Sequence, residues 1–436
     1  MKSRRTLLVG VTFLLVLAAL VAGEKILEHR AVAEAAGVQA PMFEVDPLWP
    51  KPLPNHWILG NTIGVSVDGQ DHVWIIHRGG SLEAKEVYAT TNPPGASCCV
   101  PAPSVLEFDQ AGNLMNHWGG TDGPGYIWPD SNHGITVDYK GNVWIGGNGR
   151  GTAPGAQPAG AARGARGAAA AAAAAGGATP NEGQVGGIVG YFHDSMIMKF
   201  TQDGKFLMQI GKVGGSKGSN DTENLRLPAK IFVDKNTNEV YVADGYGNHR
   251  VIVFDAETGK YKRHWGAYGN KPEDTNLGPY NPDAPAAQQF RNPVHCAELA
   301  NDGLLYVCDR VNDRIQVFKK DGTFVKEQFI EKRTLGDGSV WDIAFSKDPQ
   351  QKYIYLVDGA NEKIHILLRD SLETLTSFGD GGRQPGQFYA VHSIATDSKG
   401  NIYTTETYRG QRVQRFLYKG LQTVPKEDQG TVWPKK

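Results

Sequence analysis

Residues 229–266 read AKIFVDKNTNEVYVADGYGNHRVIVFDAETGKYKRHWG, and within them four short segments alternate apolar and polar side chains. Alternation with a period of two, in segments rich in Val, Ile, Tyr and Phe, is typical of half-buried β-strands. The DG and GN pairs between the segments are typical of hairpin turns. The stretch therefore predicts one antiparallel unit of four strands.

The same pattern recurs along the chain. The six copies occupy residues 63–119, 133–211, 229–266, 294–329, 341–379 and 391–416. Four-stranded units of about 40 residues in a row predict an all-β fold, a six-bladed β-propeller. The sixth copy lacks its last strand. The segment at 42–60, MFEVDPLWPKPLPNHWILG, ends like the last strands of other copies. We therefore expect this N-terminal segment to supply the missing outer strand and close the ring.

Composition agrees with this reading. The chain has 436 residues with 54 glycines, a share well above the usual ~7%, which favours many turns over a helix bundle. A hydrophobic content of 40% is enough for a large core and excludes wholesale disorder. The formal net charge of -1 excludes a broadly basic nucleic-acid binder.

The N-terminus predicts export. Lys2, Arg4 and Arg5 precede an uncharged apolar run from Thr6 to Gly23, so residues 1–23 are expected to be a signal peptide or an N-terminal membrane anchor. The paired arginines fit a twin-arginine signal, or they supply positive charge alone. Either way, the protein is expected outside the cytoplasm, periplasmic or secreted, with the membrane contacted only through this segment.

The remaining boundaries follow from the repeats. We expect a linker at 24–41, the propeller at 42–420 and a C-terminal tail at 421–436. Residues 149–187 interrupt the second copy with Gly, Ala, Arg and Pro, including eight consecutive alanines. This composition predicts a disordered insert in blade two.

One register position carries histidine in every second copy. Five residues before the aligned Asp of the first strand, copies two, four and six have His133, His295 and His392. Copies one, three and five have Ile63, Ala229 and Trp341 at that position. Alternate blades of a six-bladed ring lie ~120° apart, so the three imidazoles are expected to converge on the axis.

Three histidines around one point resemble a catalytic zinc site, in which the fourth position is left to water or substrate. Imidazole nitrogen also suits copper, nickel or iron. The alternative is that three channel histidines only bind water or backbone by hydrogen bonds.

The second strand of each copy ends beside the start of the first, because the two are antiparallel. Its exit positions are Arg78, Gly245 and Arg310 in copies one, three and four, with Tyr246 one residue further on. Arginines beside a cation centre favour binding of a carboxylate, and a tyrosine there suits proton transfer. The alternative is structural: Arg310 pairs with Asp309, and Tyr246 caps its blade.

With these residues in place, the chain resembles NHL-repeat proteins and, from about Asn61 to Phe416, is similar to peptidyl-α-hydroxyglycine α-amidating lyase. The motifs that carry the resemblance are VWIIHRG, NHGITVDYKGNVWI, EVYVADGYGNHRVIVF, NPVHCAELANDGLLYVCDRVNDRIQVF and VHSIATDSKGNIY. The resemblance implies a zinc ion on His133, His295 and His392, substrate-binding Arg78 and Arg310, and a catalytic Tyr246. The implied reaction splits an N-(α-hydroxyglycyl) compound into an amide and glyoxylate without a redox cofactor.

The chain departs from that family at three positions near the site. Ser393 stands where the family has an Asp that binds calcium, so structural Ca²⁺ is doubtful. Gly247 replaces a disulfide-forming Cys, and Ala390 replaces a Met. Nothing in the chain resembles the copper monooxygenase that supplies the lyase substrate in animals, so the substrate is left open as an α-hydroxyglycine-like compound.

The expected partner is a small-molecule or peptide substrate with a carboxylate, bound by a monomer. The first alternative is a non-catalytic NHL propeller that serves as an extracytoplasmic scaffold for a protein or peptide. The second is a calcium-dependent hydrolase or lactonase, which would call for Asp, Glu and Asn ligands in the channel.

The four cysteines leave two questions open. Cys296 and Cys308 fall opposite each other on adjacent predicted strands, where they form a disulfide or remain two buried thiols. Cys98 and Cys99 pair with each other or coordinate another group, and four cysteines allow three connectivities.

Overall fold

The computed structural model describes residues 37–150 and 192–434. In this part of the chain six antiparallel sheets of four strands follow one another, so the predicted six-bladed β-propeller is confirmed. In chain order the strands are β1 (Val38–Asp46), β2 (Trp57–Ile58), β3 (Asn61–Val67), β4 (Val73–Arg78), β5 (Val100–Pro101), β6 (Val105–Phe108), β7 (Leu114–Trp118), β8 (Asn132–Val137), β9 (Val143–Gly147), β10 (Met196–Phe200), β11 (Phe206–Gly211), β12 (Lys230–Asp234), β13 (Glu239–Asp244), β14 (Arg250–Asp255), β15 (Tyr261–Trp265), β16 (Val294–Leu299), β17 (Leu304–Asp309), β18 (Arg314–Lys319), β19 (Phe324–Phe329), β20 (Asp342–Phe345), β21 (Tyr353–Asp358), β22 (Lys363–Leu368), β23 (Thr374–Phe378), β24 (Val391–Thr396), β25 (Ile402–Glu406) and β26 (Arg412–Val424).

Blade one consists of β3, β4, β6 and β7, and blades two to five consist of β8–β11, β12–β15, β16–β19 and β20–β23. Blade six consists of β24, β25, β26 and β1. The first strands of consecutive blades contact one another around the ring, and β24 of the last blade contacts β3 of the first. These six strands therefore surround the central axis, and whatever they carry at matched positions meets there.

The N-terminal strand closes the ring as expected. β1 pairs antiparallel with β26, from Val38 opposite Val424 to Asp46 opposite Arg415. The paired residues precede the Trp57–Ile58 piece that resembled a last strand, and that piece pairs instead with β5 in the loop of blade one. Four prolines between residues 47 and 54 explain the difference, because a residue without an N–H cannot continue the ladder.

The propeller extends about four residues past each of its expected limits, 42 and 420, because β1 starts at Val38 and β26 ends at Val424. Residues 1–36, with the predicted signal or anchor, and residues 151–187 of the predicted insert lie outside the described residues. Within the described residues, no helix is long and apolar enough to cross a bilayer.

The cysteine alternatives resolve into two disulfides. Cys296 and Cys308 face each other across β16 and β17, with their Cα atoms 4.8 Å apart, and their sulfurs are bonded. Cys98 is bonded to Cys99 in the long loop of blade one. That loop also contains three short 3-10 helices, Gly79–Ser81, Ala84–Glu86 and Tyr88–Thr90.

The core lies in the spaces between blades, and Phe43 on β1 shows how the closing strand contributes to it. Its side chain is 2% exposed, and its ring centroid lies 5.2 Å from that of Tyr355 and 5.3 Å from that of Phe378, both in blade five. The closing strand thus holds blade six against blade five as well as completing its own sheet.

Replacing Phe43 with alanine should therefore lower the free energy of unfolding by about 3–5 kcal/mol, because it removes a fully buried ring at the seam. Chemical denaturation monitored by tryptophan fluorescence measures this change. Met115→Ala on β7 is the control: Met115 is 55% exposed, and its loss should cost less than about 0.5 kcal/mol. Equal effects of the two substitutions would contradict the role of β1 in closing the ring.

Candidate metal centre

The three register histidines meet on the axis. His133, His295 and His392 are the second residues of β8, β16 and β24, and none is more than 3% exposed. Their ring centroids lie 4.8–5.2 Å apart. In each of these strands the pairing register shifts at or beside the histidine. A β-bulge redirects a side chain out of the regular ladder, which explains how a strand residue points along the channel.

Each imidazole is oriented by the following blade. Nδ1 of His133 donates to the main-chain oxygen of Ala229 at 2.8 Å, and Nδ1 of His392 donates to that of Ile63 at 2.8 Å. Nδ1 of His295 donates to the main-chain oxygen of Trp341. The three acceptors are the residues at the same register position of the odd-numbered blades. The same register position thus supplies an imidazole ring in each even-numbered blade and the main-chain carbonyl that orients it in the following blade.

These hydrogen bonds fit a metal-binding role. A proton fixed on Nδ1 leaves Nε2 with its lone pair, which is the tautomer that metal-ligating histidines adopt. Burial, and after it the neighbouring His392 and Arg310, hold the pKa of His295 well below its ordinary value. The ring is therefore neutral at pH 7, as coordination requires. One ligand atom from each histidine lies within 4.8 Å of the others, so the donor set suits a divalent ion such as zinc.

Tyr246 lies directly against the histidines. Its hydroxyl oxygen is 3.0 Å from Nε2 of His133 and 3.0 Å from Nε2 of His295. Gly245 brings it there, because a Cβ at this position would lie 2.1 Å from the main chain of Val294. The tyrosine predicted from the exit of blade three is thus part of the histidine cluster, and its catalytic role remains a prediction.

Arg310 completes this cluster from blade four. Its Nη1 donates to the hydroxyl of Tyr246 at 3.2 Å, and its guanidinium carbon lies 3.7 Å from the ring centroid of Trp341. Its ion-pair partner is Asp337, at 3.3 Å, whereas Asp309 pairs with Arg314. The alternative in which Arg310 only pairs with Asp309 is therefore wrong.

Arg78 lies at the neighbouring exit. Its Nε donates to the main-chain oxygen of Asn132 at 3.0 Å, next to His133, and its Nη2 donates to Oδ1 of Asn148 at 2.8 Å. Arg78 is partly exposed. Its predicted binding role remains a prediction.

Beneath the histidines lies an ionic cluster that the sequence did not predict. Nζ of Lys230 is 2.6 Å from Asp342 and 2.9 Å from Glu298. Oγ of Ser393 donates to the second oxygen of Asp342 at 2.7 Å. Burial acts against the ammonium form, but Asp342 and Glu298 outweigh it and raise the pKa of Lys230 above its ordinary value.

A cavity of about 10 Å³ separates this cluster from the histidines, and its lining includes His133, Lys230 and Ser393. Lys230, Asp342 and Ser393 each follow the register position by one residue, which is the signal that could have found them. The cation balancing the carboxylates here is the ammonium group of Lys230.

The two other departures from the family pattern near the site are Gly247 and Ala390. The methylene stem of Arg226 lies over Gly247, where a Cβ would come within 2.3 Å of it. Ala390 is 5% exposed, and its amide donates to Glu362 at 2.7 Å.

Several known proteins are similar to this chain. A family model described as the NHL repeat matches residues 225–254. Peptidyl-glycine alpha-amidating monooxygenase B of Xenopus laevis is 33% identical over 134 residues, which are 28% of this chain and 14% of that protein. NHL repeat-containing protein 3 of Mus musculus is 23% identical over 401 residues, which cover 87% of this chain and 85% of that protein. Among solved structures, streptogramin B lyase has a TM-score of 0.45 and 14% identity, covering 88% of this chain and 99% of that chain.

These comparisons confirm the NHL-repeat prediction and the resemblance to the amidating enzyme. The chain spans no more than 14% of the length of the curated amidating relatives it matches, so their activity is not transferred with the similarity. The TM-score and the sequence identity to streptogramin B lyase are too low to carry information about function. The chain thus has a six-bladed propeller fold with an NHL-repeat match at residues 225–254 and partial similarity to peptidyl-glycine alpha-amidating monooxygenases.

Replacing Lys230 with methionine should destabilise the fold by about 3–5 kcal/mol, because it leaves Glu298 and Asp342 as buried carboxylates without their cation. Denaturation with urea measures the loss. Lys140→Met is the control, since its pair with Glu257 is exposed and should contribute less than about 1 kcal/mol. If Lys230→Met is as stable as Lys140→Met, the buried pair does not hold the floor of the channel.

Proposed function

We propose that the protein is a zinc-dependent lyase that cleaves an N-(α-hydroxyglycyl) compound, of the peptidyl-α-hydroxyglycine type, into an amide and glyoxylate. The observation that carries the proposal is the position of Tyr246, whose hydroxyl lies 3.0 Å from two channel histidines and 3.2 Å from a guanidinium nitrogen of Arg310. A phenol between a metal-binding set and a cation is placed to act as a base. The proposal includes an extracytoplasmic monomer as the working form.

Arg310 and Arg78 would bind the substrate carboxylate. A guanidinium forms charge-assisted hydrogen bonds with a carboxylate and can do so in a bidentate way. Asp337 and the ring of Trp341 fix the guanidinium of Arg310, so little conformational entropy is lost when substrate binds. Arg78 is held by Asn132 and Asn148 at the neighbouring exit and would contact the same end of the substrate.

Tyr246 would take the proton of the α-hydroxyl group. The nearby positive charge of Arg310 favours the phenolate form. The electrons of the broken O–H bond form the carbonyl of glyoxylate, and the C–N bond breaks. The proton is returned to the amide nitrogen, so the reaction balances without an oxidant or a reductant. Zinc on the Nε2 atoms of the three histidines would polarise the hydroxyl oxygen and lower its pKa.

The 33% identity to the amidating monooxygenase supports this class of substrate, and the match is confined to 134 residues. A non-catalytic NHL propeller that binds a protein or peptide is the alternative, favoured by the similarity to NHL repeat-containing protein 3 along 87% of the chain. A scaffold gives no reason for three histidines, a tyrosine and an arginine to converge in one channel.

Elemental mass spectrometry should find about one zinc ion per chain in the mature protein, and the triple variant of His133, His295 and His392 to alanine should contain none. Three imidazole ligands are the usual protein share of a catalytic zinc site, so their loss removes the site. A control variant, His117→Ala, changes a histidine on the outer strand β7 and should keep the metal. A folded wild-type protein that refuses added zinc would favour the scaffold.

Replacing Tyr246 with phenylalanine should lower kcat for glyoxylate release by about 10²–10⁴-fold while zinc stays bound, because only the proton acceptor is lost. α-Hydroxyhippurate is a suitable substrate, and glyoxylate is measured by a coupled assay. Tyr139→Phe is the matched control, since this tyrosine is 48% exposed, its hydroxyl donates to Asn238, and its loss should leave kcat unchanged. Turnover that survives in the Tyr246 variant would remove the tyrosine from the proposed chemistry.

A further inference from the structure

A second pair of arginines, Arg150 and Arg226, lies against one aromatic ring, that of Phe192. The guanidinium carbon of Arg226 is 4.6 Å from the ring centroid of Phe192, and that of Arg150 is 5.0 Å from the same centroid. All three side chains are partly exposed. Two cations therefore share one apolar surface that substrate can reach.

Their main chains tie this pair to the proposed catalytic residues. The amide of Gly247, next to Tyr246, donates to the main-chain oxygen of Arg226 at 3.1 Å. Phe192 packs on the hydrophobic cluster that contains Tyr246. On the other side, Arg150 is two residues from Asn148, which accepts the hydrogen bond of Arg78. The pair thus lies between the exits of blades two and three, at the end of the channel where Tyr246 and Arg78 lie.

Glycine at position 247 makes this arrangement possible. A Cβ there would come within 2.3 Å of Cγ and 2.6 Å of Cδ of Arg226. Any larger residue would therefore push the stem of Arg226 away, and with it the guanidinium from Phe192.

Neither guanidinium forms an ion pair within residues 37–150 and 192–434. Nε of Arg226 donates to Oγ of Ser216 at 2.9 Å, and Nε of Arg150 is buried without a hydrogen-bond partner among these residues. Burial, and then the charge of Arg226, lower the pKa of Arg150. Asp274 approaches the same loop but takes its hydrogen bonds from Ser219. Two like charges held close together are stabilised when an anion binds between them.

We propose that Arg150 and Arg226, with Phe192 as an apolar floor, form a subsite for a carboxylate on the acyl half of the substrate. Its assignment to substrate rests on the proposed lyase function, whereas carboxylate binding does not. The reacting end carries the carboxylate that Arg78 and Arg310 bind, so the preferred substrate is a dianion with its second carboxylate beyond the bond that breaks. The ring of Phe192 accommodates the apolar spacer between them.

Two substrates that differ by one carboxylate test this subsite: N-(4-carboxybenzoyl)-α-hydroxyglycine and α-hydroxyhippurate. We expect the wild-type kcat/KM to be at least about ten-fold higher for the carboxylated substrate, in line with a charge-assisted hydrogen bond. In Arg226→Met, which keeps the stem over Gly247 but removes the charge, and in Arg150→Gln, the ratio should fall to about one. Because the ratio is measured within each variant, a general loss of activity cancels.

Arg333→Met is the matched control, because that arginine is exposed and pairs with the exposed Asp283. It should keep the wild-type ratio. Equal kcat/KM values for the two substrates in the wild type, or a preference that persists in both arginine variants, would overturn the subsite.

Binding of the amide products separates failure of the subsite from failure of the lyase proposal. If neither substrate releases glyoxylate, the lyase proposal is wrong, and calorimetry with 4-carbamoylbenzoate and benzamide still tests the arginines. Tighter binding of 4-carbamoylbenzoate by the wild type, lost in Arg226→Met, would support the carboxylate subsite on its own. Equal binding of both amides would overturn it.

Discussion

The hydrogen bond from each channel histidine to a main-chain carbonyl of the next blade is the constraint on which the site depends. It repeats three times, from His133, His295 and His392, and fixes ring orientation and tautomer together. The third bond, to Ile63, joins the last copy of the repeat to the first. A complete site therefore exists only in a closed ring, and closure rests on the pairing of β1 with β26.

Buried charged groups surround the histidines, and burial followed by the neighbouring His392 and Arg310 lowers the pKa of His295. Lys230, Asp342 and Glu298 form a compensated ionic cluster below them, and Arg310 adds a positive charge beside Tyr246. Positive charge and burial both disfavour protonated imidazole. The positive charge of Arg310 favours negative charge on a phenol or on a bound carboxylate, whereas burial acts against it. The polarity of the site is thus set for anions and for neutral nitrogen ligands.

What the sequence predicted and what it missed follow from the repeat. A propeller brings matched positions at the ends of its strands to one end of its axis. The predicted site residues occupy such positions: His133, His295, His392, Arg78, Arg310 and Tyr246. Asp337, an ion-pair partner of Arg310, lies in the connection between β19 and β20, outside the repeated strands, so register gave no signal for it. The closing strand was placed on the correct segment, but its bounds were not. Similarity to other last strands suggested Trp57–Ile58, whereas the prolines before it end the ladder at Asp46.

Charge in this protein is organised locally. The chain has a formal net charge of -1, yet four arginines, Arg78, Arg150, Arg226 and Arg310, surround one end of one channel. A concentrated positive field in a cleft with low-dielectric walls attracts small anions without making the whole surface basic. Gly247 links this field to the chemistry, because the residue that follows Tyr246 must be small for Arg226 to lie against Phe192. Gly247, where the lyase family that this chain resembles has a cysteine, is therefore also what allows a second cationic position at the rim, and under the proposal that position would select substrates with a second carboxylate.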